Sequence, residues 1–394
     1  MIKHSKLKII DNFFGSFFLL IFKPLAIWYT KINQNKINII KENPKKIIFL
    51  KLLGGGTLVS SSLVIFELKR KFPNTKFSLI GSKNTINYAK SLNLFSEYIE
   101  ISFDSLKKLL VSSIKCLFLV NKSDVIIDME IHSKFTCLFL FLTFSFIRIG
   151  FYTKTNKFSR YYLSHIIYYN EKVPLPIYFE GILKVFSISI NEKTPIDFYN
   201  HFVKSNKIFK KKKNDNIYSI GIAPFSSDLS KEREFTISQW KLLLKKYIKK
   251  ETSEIIIYGG NEDIQKSMHY QNELKKLFPN INIKNKSGKL QLINSVKNIY
   301  KKNNIFITID SGLNHLVRIL DIKVYSYWGP TNPSINLSPY FSKYEKVIYS
   351  RLSCSPCVHS LEAPPCQGDN ICMQKNLKNI GKNKIYHWII NEEN

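Results

Sequence analysis

From Lys45 onward, short apolar runs alternate with stretches whose apolar residues recur at helical spacing. Lys46-Ile47-Ile48-Phe49-Leu50-Lys51-Leu52 suits a strand buried on both faces. It runs into Gly54-Gly55-Gly56, after which Val59–Lys71 has helical spacing and Pro73-Asn74 closes the helix. Lys76–Gly81 reads as the next strand, with others at Tyr98–Ile101 and Asp124–Asp128. Residues 204–216 (KSNKIFKKKKNDN) are polar and basic and read as a linker. The alternation then restarts with a strand at Ile217–Ala223, a helix at Ser238–Lys250 and a strand at Glu254–Gly259. Asn303-Asn304 marks a turn before the strand Ile305–Ile309, and the strand Val324–Trp328 ends at Gly329-Pro330-Thr331. Such alternation predicts an α/β protein with parallel sheets covered on both faces. It occurs twice, over 45–203 and 217–394, and two such domains in tandem predict a cleft between them. Ligands in these sheets lie at the carboxyl ends of strands, where the glycine-containing loops fall.

Residues 1–44 follow a different pattern. Phe13–Phe22 is apolar, Lys23-Pro24 interrupts it, and Leu25–Tyr29 resumes it. A spanning helix needs about 20 apolar residues, and a charge followed by a helix breaker stops this run short. Lys3, Lys6, Lys8, Lys23 and Lys31 flank it, and Trp28 and Tyr29 suit a headgroup layer. The segment reads as an interfacial membrane-associating element on a cytoplasmic protein, peripheral to the inner face of the membrane. A helix packed on the protein, a span or a cleaved signal are the alternatives. A second apolar run, Cys137–Ile147, is too short to span and reads as a buried helix.

Composition narrows the partners. The 394 residues carry 59 Lys+Arg against 29 Asp+Glu, a formal net charge of +30, which predicts attraction to something anionic. Nucleic acid would require a compact basic stripe with interleaved aromatics. The cations are instead spread throughout, with Phe209–Lys213 the one dense cluster, so nucleic acid is set aside. A phosphorylated substrate and an acidic membrane surface remain, and part of the excess is compositional drift towards lysine. A 44% hydrophobic content excludes wholesale disorder.

Five segments carry candidate chemistry. Leu53-Gly54-Gly55-Gly56-Thr57 joins a strand to a helix, where backbone can approach an anion closely; a plain tight turn is the other reading. Ala223-Pro224-Phe225-Ser226-Ser227, followed by Lys231 and Arg233, can cradle a diphosphate or form a solvated charged loop. In Tyr258-Gly259-Gly260-Asn261-Glu262-Asp263 a carboxylate can hold a ribose diol, or Asn261 can cap a helix. Thr308-Ile309-Asp310-Ser311-Gly312-Leu313-Asn314-His315 ends a strand in an acid and a hydroxyl and places a histidine on the opening helical turn. The fifth is a cysteine-rich tail at 354–373, where Cys354, Cys357, Cys366 and Cys372 are spaced C-x2-C-x8-C-x5-C. Clustered thiols mean zinc or disulfides, and without an exported context a structural zinc site or reduced thiols are favoured. Cys116 and Cys137 read as buried bystanders.

Together these segments resemble glycosyltransferase family 9, the ADP-heptose:lipopolysaccharide heptosyltransferases and their relatives. The resemblance runs from Lys45 to about Met373 and is strongest in Ile309–His315, Tyr327–Pro333 and the cysteine tail. It implies a GT-B architecture, two Rossmann-like domains facing across a cleft. It also implies inverting, metal-independent sugar transfer from a nucleotide-diphosphate donor, ADP-heptose, to a lipid-linked glycan acceptor of the lipopolysaccharide core type. On this reading no cofactor is required for catalysis. Ser226, Lys231, Arg233, Asp310, Ser311, Gly312 and His315 would hold the donor, and Glu262 the ribose, with Asp263 the near alternative. Arg233 stands where the family often has a lysine, and Arg and Lys are not interchangeable. Gly54, Gly55 and Gly56 would form the acceptor-side turn. Thr57 occupies the position of the family's proposed general base, an aspartate, and cannot take a proton at neutral pH. Asp128 and Glu130 in Ile126-Ile127-Asp128-Met129-Glu130 are the substitute candidates, with acceptor positioning the other role open to them. The glycine turn with Thr57, the Asp128–Glu130 segment and Asp11-Asn12-Phe13-Phe14-Gly15 resemble a less-characterised branch of the family. A catalytically impaired, membrane-associated protein that still binds a nucleotide sugar is the alternative.

Overall fold

Two six-stranded sheets, both wholly parallel, organise the computed structural model, which describes residues 7, 9–33, 44–121, 123–154, 156–209, 218–227, 231–341, 343–358 and 364–378. They belong to two units, Met1–Phe198 and Tyr199–Asn394. In the first unit the strands are β1 (Lys46–Leu50), β2 (Lys76–Gly81), β3 (Glu97–Glu100), β4 (Val125–Asp128), β5 (Ile147–Tyr152) and β6 (His165–Tyr168). Their order is β3-β2-β1-β4-β5-β6. In the second unit they are β7 (Tyr218–Ala223), β8 (Thr252–Ile257), β9 (Asn282–Asn285), β10 (Ile305–Ile309), β11 (Lys323–Trp328) and β12 (Glu345–Tyr349), ordered β12-β11-β10-β7-β8-β9. Counted from its own first strand, the second sheet repeats the order of the first, that of the doubly wound nucleotide-binding fold. The strand order reverses between β1 and β4 in one unit and between β7 and β10 in the other. Such switch points open a crevice at the carboxyl ends of the two central strands. Helices cover the sheets because the central strands are apolar on both sides. Ile47–Leu50 and Ile305–Ile309 are buried throughout.

The helices that bear on function are α1 (Ser16–Ile32), α2 (Gly55–Ser60), α3 (Leu106–Val120), α4 (Lys134–Leu142), α5 (Gly312–Val317) and α6 (Ile371–Lys378). Three expectations change. The apolar amino-terminal run does not stop at Pro24: a π-helical turn at Asp11–Gly15 continues into α1, which carries Pro24 inside it. Proline costs the helix one hydrogen bond, but Leu19 and Ala26, on either side of it, are fully buried against Cys137, Phe141 and Tyr162. The long helix expected at Val59–Lys71 is broken at Ser61, with α2 before the break and a helix at Ser62–Lys71 after it. The run Cys137–Ile147 is not one helix either. α4 ends at Leu142, Phe144 takes a left-handed φ of 52°, and Ile147 opens β5. Of the basic linker 204–216, residues 204 and 205 close the helix Thr194–Ser205, and 210–216, with most of the Phe209–Lys213 cluster, lie outside the described residues. Lys3, Lys6 and Lys8 lie outside them as well.

Candidate active site

The expected donor residues gather at the switch point of the second unit. β7 and β10 are hydrogen-bonded neighbours, with Thr308 paired to Ala223, so the loops that follow them emerge side by side. Arg233, on a 3-10 turn at Lys231–Arg233, donates to the Asp310 carbonyl at 3.1 Å and to its Oδ2 at 3.4 Å. Its other terminal nitrogen donates to Ser227 Oγ at 3.1 Å. Thr331, on the loop after β11, donates to the same Asp310 oxygen at 2.7 Å. Ser311 caps α5 by accepting from the Asn314 N–H, which starts the helix at Gly312 and turns His315 inward. His315 Nε2 lies 3.9 Å from Asp310 Oδ1, with its ring edge-on to Trp328. Burial pushes its pKa down to about 4, so the imidazole is neutral, with one nitrogen donating and one accepting.

Ser226 is held from behind by Glu234, a buried carboxylate that accepts from the Ser226 N–H at 2.8 Å and from its hydroxyl at 3.1 Å. Lys231 donates to the Ser226 carbonyl at 3.3 Å, and Lys266 pairs with the other Glu234 oxygen. Sequence reasoning passed over Glu234 and Thr331 as site residues. The signal lay in topology, because β7, β10 and β11 are neighbours and their carboxyl-terminal loops must meet. After β8, the structure separates the two ribose candidates. Asp263 is buried and caps the Gly260 N–H at 2.8 Å, and burial raises it to about 6. Glu262 is exposed, and its carboxylate sits over Gly260, where an added Cβ would lie 2.6 Å from its oxygens.

The switch point of the first unit is built around the glycine turn. Gly54 has a φ of 84°, a left-handed conformation that favours glycine, and a Cβ on Gly55 would lie 2.1 Å from the Tyr88 ring. Gly56 and Thr57 follow in α2, where Thr57 is half-buried. Glu130 fixes this turn, with Oε1 accepting from the N–H groups of Leu52 and Leu53 at 2.8 and 2.9 Å. Oε2 pairs with the buried Lys51 at 3.0 Å. Asp128 lies deeper at the end of β4, accepting from the Glu130 N–H and the Thr136 hydroxyl, each at 2.8 Å. Burial pushes its carboxyl up to about 8, so it is mostly protonated at neutral pH.

A zinc site is the expectation at the cysteine tail. Among the described residues, no three His, Cys, Asp or Glu side chains come together to hold a metal ion. Cys354, Cys357, Cys366 and Cys372 are free thiols, and Cys357 and Cys372 are buried in the protein. Burial pushes Cys372 up to about 11 and raises Cys357 as well, and the neighbouring cysteines add to both shifts. The segment wraps the loop after β11. The Cys357 and Val358 N–H groups donate to the Pro330 carbonyl, and the Ser355 hydroxyl to that of Gly329. On α6, Asn376 donates to the Trp328 carbonyl and accepts from the Ser350 N–H. This packing backs the loop that presents Thr331 to Asp310.

Over residues 118–366 the chain matches the model of glycosyltransferase family 9 (heptosyltransferase). The chain belongs to this family. The fold agrees with that of solved structures. It is similar to Escherichia coli heptosyltransferase WaaC with ADP-2-deoxy-2-fluoro heptose (13% identity, TM-score 0.61, 86% of this chain and 99% of that one). It is similar also to E. coli ADP-heptose LPS heptosyltransferase II (16%, TM-score 0.57, 86% and 98%). A third is the glycosyl transferase family 9 protein of Veillonella parvula DSM 2008 (14%, TM-score 0.58, 79% and 87%). Comparison with curated proteins gives no match. The architecture is therefore GT-B, and the protein is a glycosyltransferase of the heptosyltransferase family. Within the family match lie Asp128, Glu130 and the whole Ser226–Thr331 constellation.

Proposed function

We propose that this family 9 enzyme transfers heptose, with inversion, from ADP-heptose to a lipid-linked glycan of the lipopolysaccharide core type at the inner membrane surface. The observation that carries the donor half is the Arg233–Asp310–Thr331 cluster at the β7/β10 switch point. Lys231 and Arg233 supply cations for the diphosphate, Ser226 and Ser227 supply hydroxyls, and Glu262 stands exposed where a ribose diol can meet it. Similarity to enzymes whose structures contain ADP or an ADP-heptose analogue supports an adenosine diphosphate donor. In the reaction, an acceptor hydroxyl attacks the anomeric carbon as its bond to the diphosphate breaks. The diphosphate leaves on the nucleotide and the hydroxyl proton passes to a base.

Neutral His315 suits hydrogen bonding to the departing group or the sugar rather than charge neutralisation. For the base, Glu130 is favoured over Asp128. A carboxyl raised to about 8 already holds a proton at neutral pH, whereas Glu130 is half-buried against the glycine turn. Asp128 then acts as a positioning residue through the Glu130 N–H. Thr57, in the place of the family's acid, contributes no proton transfer.

A panel of nucleotide sugars tests the donor by thermal stabilisation. ADP-heptose should raise the melting temperature, because a ligand that binds only the folded state stabilises it. Arg233→Ala should lose that shift. Glu130→Gln should keep the shift and lose turnover. A selective response to another nucleotide sugar would replace the donor, and stabilisation of wild type without product would favour an impaired binding protein.

A further inference from the structure

We infer that the first unit docks on an anionic bilayer through a face made of two helices, α1 and α3, joined by Phe144. The inference rests on the membrane placement proposed above and assigns the surface that makes it. α3 turns Ser113, Cys116 and Val120 inward. Leu106, Leu110, Ile114 and Phe118, four residues apart, lie on the opposite side and are exposed, Phe118 by 80%. α1 and its leading π-turn likewise expose Phe13, Phe17, Ile21 and Trp28, Phe13 by 71%, while burying Leu19 and Ala26. Phe144 links the two. It lines an apolar groove of about 250 Å³ with Ile114, Leu117, Phe118 and Leu142. It also receives the Tyr29 hydroxyl on its carbonyl at 2.8 Å, with the two rings 5.8 Å apart. A left-handed φ of 52° is costly for phenylalanine, yet it holds this half-exposed ring between the helices.

Charge favours a lipid surface over a protein partner. Neither α1 nor α3 contains an acidic residue, while Lys23 and Lys31 on one and Lys107, Lys108 and Lys115 on the other interleave with the apolar side chains. Apolar side chains that enter the acyl boundary, lysines that reach anionic headgroups and an exposed Trp28 at the interface form the pattern of an in-plane amphipathic helix. Asp11–Ile32 is long and apolar enough to cross a membrane, but it is tied along the unit. Asp11 accepts from the N–H groups of Lys134 and Phe135 at the start of α4, Tyr162 donates to the Leu19 carbonyl, and Tyr29 holds the far end. The helix therefore presents one side outward and keeps the other on the protein.

The test is co-sedimentation of the full chain with vesicles of phosphatidylcholine alone or with a phosphatidylglycerol fraction. Wild type should bind the phosphatidylglycerol vesicles preferentially. Leu110→Asp/Phe118→Asp and Phe13→Asp/Phe17→Asp should each lower that binding at least roughly tenfold without lowering the melting temperature, because all four side chains are exposed. Undiminished binding of the α3 double variant would reduce the surface to α1 and overturn the inference. Equal binding to both vesicle types would overturn the anionic surface. A wild-type dimer dissociated by either variant would assign the face to a second copy. Transfer to a delipidated acceptor should be unchanged in both variants, so an inactive wild type that still binds vesicles defeats the proposed reaction and leaves the docking face standing.

Discussion

His315 and Asp128 are buried titratable groups whose protonation differs in opposite directions from that of the unfolded chain. His315 is shifted from 6.5 down to about 4, so between those values the unfolded chain binds the proton and the folded one does not. Its contribution to stability is complete above 6.5 and is lost as pH falls towards 4. His315→Asn should flatten the acid limb of a melting-temperature profile over this window and, if His315 serves the donor, abolish transfer at every pH. Asp128 runs the other way. Its carboxyl is shifted from 3.8 up to about 8, so its contribution is complete below 3.8 and is lost as pH rises through 8. Asp128→Asn, which mimics the neutral acid, should resist that loss and melt higher than wild type at pH 8 to 9. A variant profile parallel to wild type would remove the buried carboxyl from the explanation. Asp128 stood out in the sequence at a strand end and His315 on the helical turn that follows one, but their states did not. Depth below the surface is a tertiary quantity: Thr136, which donates to Asp128, lies in no motif, and the packing of Trp328 on His315 follows from the sheet and not from their spacing.

Among the elements, the edge strands β6 and β9 were the hardest to read. β1, β2, β7, β10 and β11 are apolar runs bounded by glycine or turn residues, and the sequence locates them to within a residue or two. β6 and β9 are short and lie at sheet edges. In β9 only alternate residues are buried, and none of the four residues of β6 is fully buried, so neither makes a continuous apolar run. α6 was hidden for a different reason. Its Cys372 and the cysteines before it drew attention to metal chemistry, while the residue that fixes it is Asn376. That side chain is fully buried and spans from the Trp328 carbonyl at 2.7 Å to the Ser350 N–H at 2.6 Å. Asn376→Ala should destabilise the second unit by about 2–4 kcal/mol, because a buried carbonyl and a buried N–H lose their partner together. Denaturant titration checks the magnitude. The element's position backing Gly329–Thr331 predicts that donor affinity falls with it, whereas Cys354→Ser, at a half-exposed thiol, should leave both near wild type.

At the scale of the whole molecule, duplicated strand-helix alternation was enough to announce two α/β units, and the shared strand order explains why the chemistry falls where it does. Both sets of candidate residues lie at a reversal of strand order, β1/β4 and β7/β10, although they share no motif. The charge of +30 is the global property that the fold does not explain, and its effects should separate by salt. On the docking face proposed above, lysines on α1 and α3 would act through solvent on headgroups, where the Debye length is about 8 Å at physiological ionic strength and about 3 Å at 1 M. Arg233 is largely buried beside Asp310 and would meet a diphosphate at contact distance, where screening is weak. Raising salt from about 0.05 M to about 0.5 M should therefore release the protein from phosphatidylglycerol vesicles by an order of magnitude or more while changing donor affinity only a few-fold. Vesicle co-sedimentation and calorimetric titration of donor in the same buffers make the comparison. If the two affinities fell in parallel, the surface lysines rather than the Arg233 cluster would be supplying the donor's electrostatics, and the division of the +30 between membrane and substrate would fail.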